Sequence, residues 1–447
     1  MKTPPPDLRG WLKPGGAGVL AARGHTVPFE RLIAGNPLSV DPLSLKGAHV
    51  LLRTADQLEA GLALIALDGI AARIVIAPPD LKPDFLADVI RRAEIDTLVG
   101  EDEAGSELRR VLVSRDVPAG SGAPLESGGV ETEWVMFTSG TTGAPKMVGH
   151  TLKALTGAIR PTDDKIIWGT FYDIRRYGGL QIFLRAVLGG ASLILSDTAE
   201  SAAEFLERLG RDGVTHLTGT PSHWRRALMS PAMAQIAPRY VRLSGEIADQ
   251  AVLDSLKARF PDAAMGHAYA STEAGVGFEV TDGREGFPDS FVGGTGPVEM
   301  RVVDGSLQIR SSRIASGFVG STDRLGEEGF VDTGDMVELR GDRYYFAGRR
   351  GGIINVGGLK IHPEEVEAVI NRHPAVRQSR VSGRKSPITG AIVVAEIVLV
   401  DGQNPEEAKE EILRLCRANL KPFQVPAMVR PVAKLELSAG GKLVRHA

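Results

Sequence analysis

Thr138-Ser139-Gly140-Thr141-Thr142-Gly143-Ala144-Pro145-Lys146 packs four hydroxyl side chains and two glycines into six residues and then closes on a lysine. Glycine lets backbone N–H groups turn toward an anion, and Ser and Thr hydroxyls donate to phosphate oxygens. The composition therefore suits a loop that wraps a polyphosphate. The preceding Trp134-Val135-Met136-Phe137 reads as a strand, so the loop leaves a sheet edge, where nucleotide sites often lie. The string is not a GxxxxGK[ST] loop, because Pro145 precedes the lysine and Met147 follows it.

Upstream of that loop the chain alternates strand and helix. Strands are predicted at 48–52, 72–77 and 96–99, with helices at 55–67 and 84–92, and residues 119–129 read as a Gly/Ser/Pro-rich loop. Such alternation predicts a parallel sheet covered by helices. Downstream the pattern repeats, with helices at 181–188, 202–209 and 250–260 and strands at 191–195, 216–218 and 241–243. From about residue 290 the reading becomes β-rich: 300–303 and 307–309 form a hairpin on the Asp304-Gly305 turn, and 343–347 is a further strand. A last module follows Gly348-Arg349-Arg350-Gly351-Gly352, whose glycines suit a flexible joint. There Pro363 opens a helix through Asn371, 391–400 is β-prone, and Asn404 caps an amphipathic helix at 405–419. The expected fold class is α/β: a large N-terminal domain of parallel-sheet layers with a β-rich subdomain (1–348), then a small mobile α+β domain (349–447).

The chain has 447 residues, 43% of them hydrophobic and 24% charged, with a net charge of −3. No basic excess points to nucleic acid or an anionic membrane. No apolar run is long enough to cross a membrane, and a cytoplasmic monomer or homodimer is expected. The single cysteine, Cys416, excludes an internal disulfide and a cysteine-based zinc site; its helical setting predicts a buried thiol.

Four further strings carry chemistry. In Tyr269-Ala270-Ser271-Thr272-Glu273 a ring can stack on a purine, a hydroxyl can hold a phosphate, and a carboxylate can bind magnesium. A helix start capped by Ser271 or Thr272 explains the same residues. In Asp332-Thr333-Gly334-Asp335 an aspartate can accept two ribose hydroxyls, although an acidic turn between strands fits it as well. Gly357-Gly358-Leu359-Lys360-Ile361-His362-Pro363 reads as a strand–turn–helix joint. Gly440-Gly441-Lys442-Leu443-Val444-Arg445 places a lysine, a mobile point charge, near the C-terminus.

From about residue 130 onward these motifs, in this order, resemble the acyl-adenylate-forming superfamily: acyl- and aryl-CoA ligases, peptide-synthetase adenylation domains and luciferases. Departures are Met147 where a glycine is usual, Ala270 at the glycine of the tyrosine motif, and Gly351 at a hinge that is usually Asp or Lys. The resemblance implies ATP, Mg2+ and coenzyme A as cosubstrates and a small carboxylic acid as substrate. Thr138, Ser139, Gly140, Thr142, Gly143 and Lys146 would hold the phosphates. Gly245 in Ser244-Gly245-Glu246, Tyr269, Thr272, Asp335 and Arg349 would hold the nucleotide. Glu273 would hold magnesium, and Gly358 would line the pantetheine path. Lys442, Glu273 and Thr141 would be catalytic. Phe171, Tyr172, Asp173 and His223 fall where an acyl pocket is expected, with Asp173 a candidate for an ammonium group and Arg175 and Arg176 for a second carboxylate. The implied activity is ATP-dependent formation of an acyl-adenylate with release of pyrophosphate, then transfer to coenzyme A. Two alternatives stand beside it: loading of a carrier protein or an amine in trans, and a degenerate nucleotide-binding regulator.

Overall fold

The computed structural model describes residues 7–100, 107–117, 127–138, 145–160, 165–322, 325–386, 390–438 and 440–444. Two large sheets organise the first 280 residues, one of them joined by a later strand at Gly317–Phe318. One has the strand order Gly317–Phe318, Met147–Thr151, Glu133–Phe137, Arg73–Ile76, His49–Leu52, Thr97–Val99 and Arg109–Val111. Its pairings are parallel from Glu133–Phe137 outward to Arg109–Val111, while Met147–Thr151 runs antiparallel to Glu133–Phe137. The second sheet is parallel across Ala264–Ser271, Tyr240–Ser244, His216–Gly219, Ile167–Thr170, Ser192–Leu195 and Val19–Ala22. Antiparallel edge strands close it, Gly275–Val280 at one end and His25–Pro28 at the other.

The strands are short Val/Ile/Leu runs buried on both faces, as expected where helices cover a parallel sheet. The helix Gln57–Leu67 is buried along its whole length. It packs, with Tyr177–Gly189, into the apolar cluster between the sheets. Trp134, at zero exposure, anchors the strand that feeds the hydroxyl-rich loop, and its indole N–H donates to Asp68 at 3.0 Å.

An antiparallel sheet follows, built on Val298–Val303, Ser306–Ser311, Phe330–Arg340, Arg343–Arg349 and Phe287–Pro288. Its first hairpin turns at Asp304 and Gly305, both with positive φ (50° and 77°), the geometry a two-residue hairpin loop requires. The C-terminal region has its own apolar cluster, which joins the helices Pro363–Ile370 and Pro405–Asn419 to the strands Val376–Ser386, Gly390–Leu399 and Met428–Pro431. Asn404 caps the second helix, accepting from the Glu406 N–H. Cys416 is fully buried against that cluster, and burial pushes its thiol up to about 11.

Among the described residues no helix is long and apolar enough to cross a membrane. The sequence reading left residues 7–45 unassigned. They supply the hairpin Val19–Ala22/His25–Pro28, which completes the second sheet rather than the first.

Candidate active site

The ends of the hydroxyl-rich loop are pinned: the Thr138 N–H donates to the Lys146 carbonyl at 3.0 Å. Ser139, Gly140, Thr141, Thr142 and Gly143 lie outside the described residues. Lys146 is exposed, with its ammonium 5.1 Å from the centre of the Phe318 ring. Met147, at the position where a glycine is usual, is fully buried among Val135, Leu98 and Val319. Its side chain fills core, so the departure is absorbed by packing.

Tyr269, Ala270 and Ser271 end a strand, and Thr272 and Glu273 form the turn to its antiparallel neighbour. The helix start proposed for these residues is therefore corrected. Ser271 accepts from the Ala274 N–H at 2.9 Å, which stabilises a strand turn instead. Two backbone bonds bring this turn beside the strand leaving the loop: Ala315 N–H to the Glu273 carbonyl at 2.9 Å, and Ser316 N–H to the Gly149 carbonyl at 2.7 Å. Glu273 thus comes close to the phosphate-loop strand from a distant point in sequence.

Tyr269 donates its hydroxyl to Asp335 at 2.6 Å, and Arg349 donates Nε to the other Asp335 oxygen at 3.0 Å. The Tyr269 ring lies near-parallel to Phe278 and Phe346, with centroids 5.5 and 5.4 Å away. The expectation of a ring free to stack on a purine is narrowed, because protein rings already flank it; its hydroxyl is what joins Asp335. Gly334, with φ +68°, makes the bend that turns Asp335 toward Tyr269.

A second group converges on Lys442. The Ser438 N–H donates to the Lys442 carbonyl at 2.7 Å, and the Gly441 N–H to the Ser438 carbonyl at 2.8 Å. Residues 440–443 are latched onto the start of the helix Pro221–Leu228. Thr220 Oγ1 donates to the Gly441 carbonyl at 2.7 Å, and the Leu443 N–H donates to Glu246 at 2.9 Å. The same Glu246 carboxylate accepts from the Ser222 N–H at 2.9 Å. Gly441 has φ +71°, and a Cβ there would fall 1.8 Å from the His223 ring. The Lys442 side chain passes Gly245, with its Cε 3.4 Å from where a Gly245 Cβ would lie.

Although the residue keeps solvent contact, the Lys442 ammonium is held below the usual lysine range. Desolvation of the ammonium within the cleft is the first cause and Arg349 the next, opposed by Glu246 and Asp335. Those influences join Lys442 to the Tyr269–Asp335–Arg349 group, and Arg349 is in turn held protonated by Asp335 foremost, with Glu273 adding to it. Lys442 thus lies beside Gly245 and within charge range of the Tyr269–Asp335–Arg349 group, with Glu273 within charge range of Arg349.

His223 stacks on Phe171 with centroids 5.5 Å apart, and Tyr172 meets the imidazole edge-on at 6.0 Å. The His223 Nδ1 accepts from the Thr220 N–H at 3.2 Å; burial, with Arg226 nearby, depresses the ring to about 3, so it is neutral. Tyr172 is buried and donates to the Ser244 carbonyl at 2.8 Å. Asp173 is a correction. Its carboxylate is buried and held by Arg175 at 2.7 and 2.9 Å, and Arg175 also donates to the Thr54 carbonyl. Both side chains are consumed by each other, so neither Asp173 nor Arg175 is available to a substrate charge. Arg176 is paired with Asp80. Gly358 is not drawn into the site: it forms the exposed turn between Ile354–Val356 and Leu359–Ile361, with φ +88° and no atom near its Cα side.

The sequence reading missed Thr220 and Glu246 as the residues that latch the C-terminal loop. It also missed a row of polar side chains, Tyr177, Gln181 and Arg185, set at four-residue spacing on a buried helix. That spacing was a visible signal.

An ATP-dependent acid-activating enzyme is the class that a phosphate-type loop, a ribose-type aspartate and a delivered lysine define together. Residues 45–312 match the AMP-binding enzyme family and residues 365–442 match the AMP-binding enzyme C-terminal domain. The chain belongs to this family, within the acyl-adenylate-forming superfamily. It is 27% identical over 332 residues to a 2-succinylbenzoate–CoA ligase of Listeria innocua, covering 70% of this chain and 69% of that protein. It is 27% identical over 360 residues to a mitochondrial acyl-coenzyme A synthetase of Rattus norvegicus, covering 72% and 61%. In fold it is similar to an anthranilate–CoA ligase solved with anthranoyl-AMP, with a TM-score of 0.82 at 19% identity, covering 98% and 95%. The o-succinylbenzoate–CoA synthetase of Bacillus subtilis, solved with its acyl-adenylate, gives 0.73 at 19% identity, covering 98% and 97%.

Proposed function

We propose that this chain is an AMP-forming acid–CoA ligase. The observation that carries the reading is the placement of Lys442 beside Gly245, within the electrostatic reach of Asp335 and Arg349. In the first half-reaction a substrate carboxylate oxygen attacks the α-phosphorus of ATP. The bond to pyrophosphate breaks, and an acyl-adenylate forms. No general base is required, because a carboxylate is ionised at neutral pH. The difficulty is electrostatic, since two anions meet and charge builds on the phosphoryl oxygens. Lys442 would offset that charge, Asp335 and Arg349 would orient the ribose, and the Thr138–Lys146 loop would hold the leaving pyrophosphate. Among the described residues no group of three or more His, Cys, Asp or Glu side chains could cage a metal. Glu273, a single carboxylate near the phosphate-loop strand, suits magnesium that keeps most of its ligands from phosphate and water. When bound, that ion supplies charge neutralisation at the phosphates.

In the second half-reaction a thiol displaces AMP from the mixed anhydride. The curated relatives named as CoA ligases support coenzyme A as the acceptor. We propose residues 1–348 as the adenylating body and 349–447 as a lid that rotates between the halves, withdrawing Lys442. The test is acid-dependent pyrophosphate exchange into ATP, followed by AMP-coupled consumption of coenzyme A. Lys442→Ala is expected to lower exchange at least about 100-fold, with the folded state intact by thermal melting. Exchange at the wild-type rate in that variant would remove Lys442 from the mechanism.

A further inference from the structure

On the reading above, Lys442 serves the first half-reaction and is withdrawn before the second. In that second step a thiol adds to the acyl carbonyl, and negative charge builds on the carbonyl oxygen. The donor that meets this charge has to come from outside the lid. The wall of the same cleft offers one in His223.

His223 is the third residue of the helix Pro221–Leu228, whose N-cap is Thr220. The Thr220 N–H donates to the His223 Nδ1 at 3.2 Å, while the Thr220 hydroxyl is occupied in donating to the Gly441 carbonyl at 2.7 Å. A backbone N–H only donates, so Nδ1 accepts, and the single proton of the neutral ring sits on Nε2. The ring is kept neutral by desolvation first and Arg226 next, which lower it to about 3. Its plane is fixed as well: Phe171 stacks on it with centroids 5.5 Å apart, and Tyr172 meets it edge-on at 6.0 Å. His223 is thus a donor held in one tautomer and one orientation. A neutral imidazole of this kind at a helix N-terminus can polarise a carbonyl without giving up its proton.

Among the described residues Nε2 makes no hydrogen bond. Gly441 covers it: a Cβ at that position would fall 2.1 Å from Nε2 and 1.8 Å from Cε1. Gly441 precedes Lys442, so the segment that presents the lysine also caps the imidazole. Lys442 and Thr220 share a wall besides, with Lys442 Cε and Thr220 Cγ2 at 3.4 and 3.7 Å from where a Gly245 Cβ would lie. The imidazole anchored by Thr220 therefore stands at the end of the pocket where Lys442 would meet the reacting carboxylate.

We propose that His223 is a catalytic residue of the thioester-forming step, and that its Nε2–H, uncovered when Gly441 leaves, binds the oxygen of the acyl carbonyl. The inference rests on the adenylation reading. The coenzyme A thiol loses its proton to solvent, and its sulfur bonds to the carbonyl carbon. The carbonyl π pair moves onto oxygen, where the Nε2–H meets it. That pair returns as the carbon–oxygen bond to AMP breaks, and AMP departs with the bonding pair. His223 keeps its proton throughout. The lysine serves the phosphoryl oxygens before the lid moves, and the imidazole serves the carbonyl oxygen afterwards.

The test measures both halves on the same protein, so that a folding defect lowers both: pyrophosphate exchange, and acyl transfer to coenzyme A from separately prepared acyl-adenylate. The probes are benzoate, phenylacetate and hexanoate, with their adenylates. His223→Leu is expected to lower transfer about 100-fold, the cost of removing one oxyanion donor, and to lower exchange by a factor at least about tenfold smaller. His223→Gln, whose amide N–H donates but which has no basic nitrogen, should bring transfer back to within about tenfold of wild type. Equal losses in the two halves would reduce His223 to a wall of the acid pocket and overturn the inference. Transfer as low in His223→Gln as in His223→Leu would overturn it too, because the ring would then act through a basic nitrogen. Transfer from none of the adenylates in the wild type overturns it together with coenzyme A as acceptor. Transfer from the adenylates without pyrophosphate exchange on any of the acids would keep the carbonyl donor and overturn the adenylation reading instead.

Discussion

His150 shows what burial does to a single titratable side chain. Its ring is fully buried, and burial lowers it to about 4 despite a favourable contact with the Thr272 backbone. In the unfolded chain the same ring titrates near 6.5. Below pH 6.5 the unfolded state therefore binds a proton that the folded state refuses, and stability falls as pH drops from about 6.5 toward 4. The slope is at most about 1.4 kcal/mol per pH unit. We expect the drop in unfolding midpoint between pH 7.5 and pH 5 to be smaller in His150→Leu than in wild type. Equal drops would show that the ring is protonated in the fold. The residue scale is also where the sequence was least legible. The phosphate-loop, ribose and lysine motifs stand out in the sequence because their residue types suit a particular chemistry. That Asp173 is spent on Arg175 does not, because a pairing two residues apart in a loop has no periodic signature. Tyr269 likewise promised a stacking face, and only the sheet brings Phe278 and Phe346 alongside it.

At the scale of elements, residues 440–443 dock on a helix N-terminus through few, directional contacts. Thr220, Ser222 and Glu246 hold them, and Gly441 lets them approach. Two features demand glycine at 441: the positive φ, which costs a side-chain-bearing residue about 1–2 kcal/mol, and the His223 ring in the space a Cβ would take. Gly441→Ala should lift the loop from its seat. Pyrophosphate exchange is expected to fall at least about tenfold while the thermal midpoint stays near that of wild type. Adding His223→Ala opens the space and should recover part of the loss. Exchange unaffected by Gly441→Ala would mean that the loop has freedom to spare. Elements themselves were largely readable. The helix Pro405–Asn419 and its Asn404 cap follow from proline at the first turn and an amphipathic stripe, and Asp304-Gly305 marks its hairpin. The N-terminal hairpin was not, because a four-residue strand joining a sheet across more than 160 residues gives no local signal.

At the scale of the whole molecule, the apolar clusters divide where the chain crosses Arg349–Gly352: among the described residues, one contains Ile354 onward and the others end by Phe346. Besides the latch at Lys442, several single polar contacts cross the division among the described residues. Asn371 donates to Asp249 at 3.2 Å, Gln378 to Ser222 at 3.2 Å, and Arg340 faces Glu365 at 3.6 Å. A cleft of about 380 Å³ separates the two sides beside that last pair, lined by Glu338 and Arg340 on one and Glu364 and Lys421 on the other. An interface of isolated polar contacts opens at small cost, which suits the proposed lid that withdraws Lys442 after adenylation. On the proposed reading, the arrangement seen here, with Lys442 at Gly245, serves adenylation. Tying the two sides together should therefore spare the first half-reaction and stop the second. Cysteines at Arg340 and Glu365, joined by a short reducible bis-maleimide, make the tie away from the lysine loop; the native Cys416 is buried, its thiol pushed up to about 11, and stays unlabelled. The linked protein is expected to keep pyrophosphate exchange within about twofold and to lose coenzyme A thioester formation at least about tenfold, with recovery on reduction. Thioester formation at full rate in the linked protein would mean that the lid need not move, and that both halves of the reaction share the geometry described here.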